Sequence, residues 1–189
     1  MRKLIALSFI VLLSACGSTS SLRNTQNSNL KLDFSNYNSL IINDFGDKVS
    51  KSQDDPNILS EGKRFADIVA SKTKAHNIFA SIDRNVDSTD AALLIDGSIT
   101  QYTEGNVAAR MLIGFGAGSS HFDAKVYFRD NRTKQVLGEI NVDQMSWALG
   151  GALAGAQDVK SHMTVAASKI ANELKASKLQ PVAGTKSGN

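Results

Sequence analysis

The chain has 189 residues, 42% of them apolar, 21% charged and 6% aromatic, with a formal net charge of +3 and one cysteine. That apolar content over one domain's length argues against a disordered or fibrous protein, and a single cysteine excludes an intramolecular disulfide. Basic residues are scattered among acidic ones with no basic patch, so no nucleic-acid partner is expected.

The first element is an export signal. Met1-Arg2-Lys3 precedes an apolar run, Leu4 to Leu13, broken only by Ser8. Ten residues are too few to cross a hydrocarbon core roughly 30 Å thick as a helix, and cations before a short apolar run are the pattern of a secretory signal. The run ends Leu13-Ser14-Ala15-Cys16, which resembles the bacterial lipobox. The resemblance implies cleavage after residue 15 and acylation of Cys16, whose lipid would make the membrane the first partner. Gly17 follows where the resembling lipoproteins retained in the inner membrane carry aspartate. The expected location is therefore the outer membrane, lipid-anchored, on the periplasmic side or at the surface. Loss of Arg2 and Lys3 with the signal lowers the net charge from +3 to about +1, so the basic character belongs mostly to the precursor.

Residues 16–36 hold the lipidated cysteine and a Ser-, Asn- and Thr-rich stretch with few apolar side chains. Such a composition predicts a flexible tether with a reach of roughly 25 Å. The folded unit is expected over residues 37–177. Residues 178–189, with Pro181, Gly184 and Gly188, are expected to form a disordered tail.

Within the unit, Ser39–Phe45 is a short apolar run that predicts a buried strand. Asp55-Pro56 then signals a helix start, with Asp55 as cap and proline in the first turn. Ile58, Leu59, Phe65, Ile68 and Val69 follow at helical spacing. Ile78–Ile82 predicts a second strand, and Ala91–Tyr102 a third with Leu93, Ile95, Gly97 and Ile99 on one face. The alternation is clearest over His121–Asp130, where Phe122, Ala124, Val126 and Phe128 interleave with Asp123, Lys125, Tyr127 and Arg129. A turn at Asn131-Arg132-Thr133-Lys134 and a fifth strand carrying Val136, Gly138, Ile140 and Val142 complete a hairpin. Asp158 then caps a helix whose stripe is Val159, Met163, Ala166, Ile170 and Leu174. The order β-α-β-β-β-β-α predicts an α+β fold: a mixed, mostly antiparallel sheet of about five strands with two helices on one face.

Two glycine-alanine segments interrupt this plan. Val107–Gly118 contains Arg110, Met111, Gly114, Phe115, Gly116 and Gly118; Met145–Gly155 contains Trp147, Gly150 and Gly151. If strands three, four and five form a meander, both segments leave the sheet at one end and make an apolar pole there. Strand ends with close-packed backbone explain them simply. A surface for an envelope partner or for self-association is the functional reading, since apolar patches mark contact sites. A membrane-dipping loop is a third possibility, with Arg110 against it. A phosphate-binding loop at Gly114–Ser119 lacks the lysine and the following helix that such loops need.

No catalytic constellation is visible. His76, His121 and His162 are far apart, and no pair has metal-ligand spacing, so no metal site and no cofactor are expected. No Gly-x-Ser-x-Gly elbow is present. Asp44, Asp47, Asp54 and Asp55 form an acidic linker that reads first as a solvated, helix-capping loop. Paired carboxylates of that kind could also serve an enzyme acting on envelope glycan or lipid.

The lipobox, a first strand ending Asn43-Asp44-Phe45, the strand Leu94-Ile95-Asp96-Gly97-Ser98-Ile99 and the run from Arg110 to Gly118 together resemble the DUF4410 family of bacterial lipoproteins. The Val126–Gly138 hairpin also fits, with Asn131-Arg132-Thr133-Lys134-Gln135 in place of a Thr-Gly turn. The family carries no catalytic residues that could be transferred. More distantly, the strand-helix-strand opening is similar to the small domain of TolB N-terminal-like envelope proteins, among them the curli secretion lipoprotein. The combined expectation is a membrane-anchored interaction or assembly module without enzymatic activity.

Overall fold

The computed structural model describes residues 19–106, 118–145 and 158–179. These comprise β1 (Arg23–Asn24), β2 (Ser39–Ile42), β3 (Gly46–Asp47), α1 (Pro56–Lys74), β4 (Ser81–Arg84), β5 (Ala92–Thr103), β6 (His121–Asp130), β7 (Val136–Met145) and α2 (Val159–Lys178). All the strands join one sheet in the order β1-β7-β6-β5-β2-β4, with β3 added alongside β5. The fold is α+β. Antiparallel pairing joins β1, β7, β6 and β5, whereas β2, β3 and β4 pair in parallel.

Among the described residues, seven strands stand where about five were expected. The two additions, β1 and β3, are two-residue pieces too short to show any periodicity. β3 continues the line of β2 along β5 after a break, and the break has a purpose. It turns Phe45 into the core, 4.9 Å from the Phe65 ring, which in turn meets Phe122 at 4.8 Å. Gly62 on α1 and Gly97 on β5 make the space: a Cβ on either would collide with Phe45. Here glycine is required by close approach.

Both helices begin as their caps dictate. Asp55 accepts from the Asn57 amide at 2.8 Å and Asp158 from the Ser161 amide at 2.7 Å. The α1 stripe of Ile58, Phe65, Ala66 and Val69 and the α2 stripe of Val159, Met163, Ala166, Ile170 and Leu174 close over the apolar face of the sheet in one cluster. The helices therefore share one face. Among the described residues no helix is long and apolar enough to cross a membrane.

The strand expected at 78–82 lies slightly later, at Ser81–Arg84. Asn77, with φ of 51°, follows the α1 cap, and Phe79 drops into the core before pairing begins.

The largest correction concerns the expected tether. From residue 19 onward the segment is fastened to the sheet edge. The Ser20 amide donates to the Asn141 carbonyl (2.9 Å) and the Thr25 amide to the Leu137 carbonyl (3.1 Å), with Arg23 opposite Glu139. Leu22 and Leu32 pack on the core, and Phe34 is fully buried, stacked on Phe128 at 5.8 Å. Burying one phenylalanine contributes roughly 1.5–3 kcal/mol. Three well-placed apolar residues and backbone pairing to an edge strand thus order a segment whose average composition is that of a coil.

Candidate functional site

The most distinctive geometry lies at one end of the sheet, where β5 and β7 finish and β6 begins. Thr103, His121 and Met145 are in register there. Gly105 (φ 78°) and Gly118 (φ 70°) turn the chain on either side of residues 107–117, and the Asn106 amide closes the base of that segment on the Gly118 carbonyl at 2.8 Å. Behind them, Ser120 Oγ lies 3.0 Å from His162 Nε2, tying the start of β6 to the first turns of α2. The N-terminal segment arrives at the same end: Gln144 Nε2 donates to Thr19 Oγ1.

On the open face of the sheet, away from the helices, three side chains converge. His121 and Asp123 alternate on β6 and so share this face, and Asp143 stands opposite Asp123 on β7. His121 Nε2 is 3.5 Å from Asp123 Oδ1 and 3.6 Å from Asp143 Oδ1, and the three ligand atoms lie within 4.8 Å of one another. Side-chain exposure is about a quarter for His121 and Asp123 and half for Asp143. Among the described residues, Asp123 Oδ1 is shielded from solvent and receives no hydrogen bond. Burial pushes the Asp123 carboxyl above its ordinary value and Asp143 adds repulsion, while His121 and the Gln144 amide oppose the shift.

The rest of this face is electrically matched. Arg129 reaches Asp96 at 2.8 Å, and Glu139 is flanked by Arg23 and by Lys125 at 3.4 Å. Lys125 and Arg129 also sit over the Tyr127 ring at 5.2 and 5.1 Å.

The acidic linker is built differently. Asp47 accepts from the amides of Val49 (2.7 Å), Ser50 (3.0 Å) and Asp55 (2.8 Å). These donors, the Asp55 amide foremost, hold its carboxyl well below the usual carboxylate range. Asp44 pairs with Arg84, which also contacts Asp67. Asp55 is the cap of α1. Asp44, Asp47 and Asp55 each have their own partners, and none of the three is set against another as an acid and base pair. Near Asp44, a shallow cavity of about 420 Å³ extends to Asn85, Leu94 and Lys134, at the opposite end of the sheet from His121.

Of the residues singled out from the sequence, Cys16, Arg110, Met111, Gly114, Phe115, Gly116, Trp147, Gly150 and Gly151 lie outside the described residues. Gly118 is described, at the turn into β6. The flanks of both glycine-alanine segments, Asn106 with Gly118 and then Met145, meet at one end of the sheet, as the meander requires. The spacing of the histidines does not group His121 with Asp123 and Asp143. The available signal was a His-x-Asp step on the polar face of β6 and an aspartate on the polar face of the next strand.

The comparisons with known proteins agree with this architecture. Residues 20–150 match the family model described as a domain of unknown function, DUF4410. The chain belongs to the DUF4410 family. No curated protein matches it. Among solved structures, it is similar to a PelC dodecamer from Paraburkholderia phytofirmans, with 14% identity, 86% of this chain and 100% of that one covered, and a TM-score of 0.53. A DUF330 protein from Xanthomonas campestris gives 14% identity over 74% of this chain and 82% of that one, at a TM-score of 0.42. A neuraminyllactose-binding hemagglutinin homolog from Helicobacter pylori gives 11% identity over 78% and 86%, at 0.38. At these identities the PelC match shows a shared fold for this DUF4410 chain and nothing finer.

Proposed function

We propose that this DUF4410 protein is an envelope lipoprotein, anchored in the outer membrane through Cys16, that acts as a non-enzymatic interaction or assembly module. The observation that carries the reading is how soon the domain begins after the lipobox. Thr19 and Ser20 already bond to Gln144 and Asn141, so only Gly17 and Ser18 separate Cys16 from the first residue tied to the sheet, a distance of three residue steps. Fully extended, they span at most about 10 Å. A lipid on Cys16 therefore holds the His121 end of the sheet next to the bilayer, and both glycine-alanine segments leave the sheet at that end. A domain so restrained suits binding to neighbours in or on the same membrane. The PelC structure of similar fold is a dodecamer, which supports self-association as the form this binding takes. The acidic linker offers the enzymatic alternative little, because Asp44 and Asp47 are engaged separately.

Two experiments test the proposal. Cys16→Ser is expected to abolish palmitate incorporation and release the protein from the membrane fraction; unchanged incorporation overturns the anchor. Photo-crosslinkers placed at Met111 and Trp147 in cells are expected to give adducts between copies of the chain. A monomer in detergent together with no protein adduct overturns the binding role.

A further inference from the structure

We propose that His121, Asp123 and Asp143 form a binding site for a divalent transition cation, with zinc as the best-fitting ion. Ligands about 2.1 Å from a tetrahedral zinc lie about 3.4 Å from one another. The histidine nitrogen stands 3.5 and 3.6 Å from the two carboxylate oxygens, close to that spacing, and all three ligand atoms lie within 4.8 Å of one another. The three residues project from paired strands, with Asp123 and Asp143 directly opposed, and ligands on such a ladder are held in place by its backbone hydrogen bonds.

The independent sign is the state of Asp123. Its Oδ1 is shielded, faces the other two ligands and receives no hydrogen bond among the described residues, whereas Asp96 and Glu139 on the same face each have a lysine or arginine partner. A shielded carboxylate oxygen without a donor is costly unless a cation meets it. Its neighbours in the cluster are the His121 ring nitrogen at 3.5 Å and the Asp143 carboxylate, which repels it.

The donor set selects the ion. One imidazole nitrogen with two carboxylate oxygens suits zinc and its neighbours in the transition series better than magnesium or calcium, which prefer oxygen alone. Two carboxylates with a neutral histidine also balance a double positive charge. Three protein ligands on a partly exposed face leave the fourth position to water or to a group from outside, unlike a closed structural zinc site. The bound ion would clip β6 to β7 where both strands reach the end of the sheet.

The test uses the full chain purified in detergent and stripped with a chelator. Zinc is added in competition with a chromogenic zinc chelator, and cobalt is added separately as a spectroscopic probe. One zinc per chain is expected, with a cobalt spectrum of tetrahedral intensity. His121→Gln and Asp143→Asn are each expected to weaken zinc by about tenfold or more and to remove the cobalt band. His76→Gln, remote from the site, is expected to change neither. Zinc is expected to raise the melting temperature of the wild-type chain but not of the two ligand variants, as binding to the folded state requires. Absence of zinc binding, a cobalt spectrum like that of the aqueous ion, or unchanged affinity in both ligand variants overturns the site. The cobalt spectrum of the wild-type chain decides the matter even if a variant is poorly folded.

Discussion

The acidic linker between β3 and α1 and the end of the sheet around His121 both bring carboxylates together, yet they are built on opposite principles. In the linker, Asp47 takes three backbone amides and organises the approach to α1, and Asp55 caps the helix. At the sheet end, Asp123 keeps a shielded oxygen with no donor, close to a histidine and a second aspartate. The linker is richer in acids and attracts attention in the sequence. A carboxylate satisfied by its own chain is committed to structure, while one held in place and left unsatisfied has capacity for something else. The density of acidic residues does not distinguish these cases; their hydrogen-bond partners do.

Four substitutions can break or sharpen this contrast. Phe45 fixes the linker to the core, so Phe45→Ala should have the largest effect, a loss of about 3–5 kcal/mol in chemical denaturation. A smaller loss would mean that the linker is not anchored there. Asp47→Asn should come next, lowering the melting temperature by several degrees at neutral pH. Because the folded state holds the Asp47 carboxyl below its ordinary value near 4, its contribution is fully present above that pH and is lost as the pH falls through the folded value. The gap in stability between wild type and Asp47→Asn should accordingly narrow in acid; a gap constant down to acid unfolding would contradict the assignment. Asp55→Ala removes the cap alone and should cost about 1 kcal/mol, read as a shift in denaturation midpoint with an unchanged slope. His121→Gln, in the metal-free chain, should alter stability by no more than about 0.5 kcal/mol. A large loss there would make the sheet end a structural cluster like the linker.

Much of the fold was legible from side-chain pattern. The strict alternation over His121–Asp130, the caps Asp55 and Asp158 and the α2 stripe from Val159 to Leu174 each repeat a local rule often enough to survive averaging. The N-terminal segment shows the opposite case. Leu22, Leu32 and Phe34 are too sparse to mark a period, and the pairing of β1 depends on the free edge of β7, which the segment's own sequence does not describe. The same limit applied to the three-residue cluster. A four-residue turn at 131–134 closed symmetrically would set Asp123 against Val142, placing an apolar side chain on the polar face. The irregularity between Phe128 and Arg129 shifts the register by one and brings Asp143 opposite instead.

By itself, the sequence determined the class of the fold, the meander and both helices, because each is written in contiguous residues read by local physics. Only the tertiary structure decided that the segment from residue 19 joins the sheet edge, and which aspartates meet His121. Those outcomes depend on edge pairing and on the registry of strands whose facing residues are remote along the chain, and on which buried oxygens are left without a donor once the rest of the fold has formed.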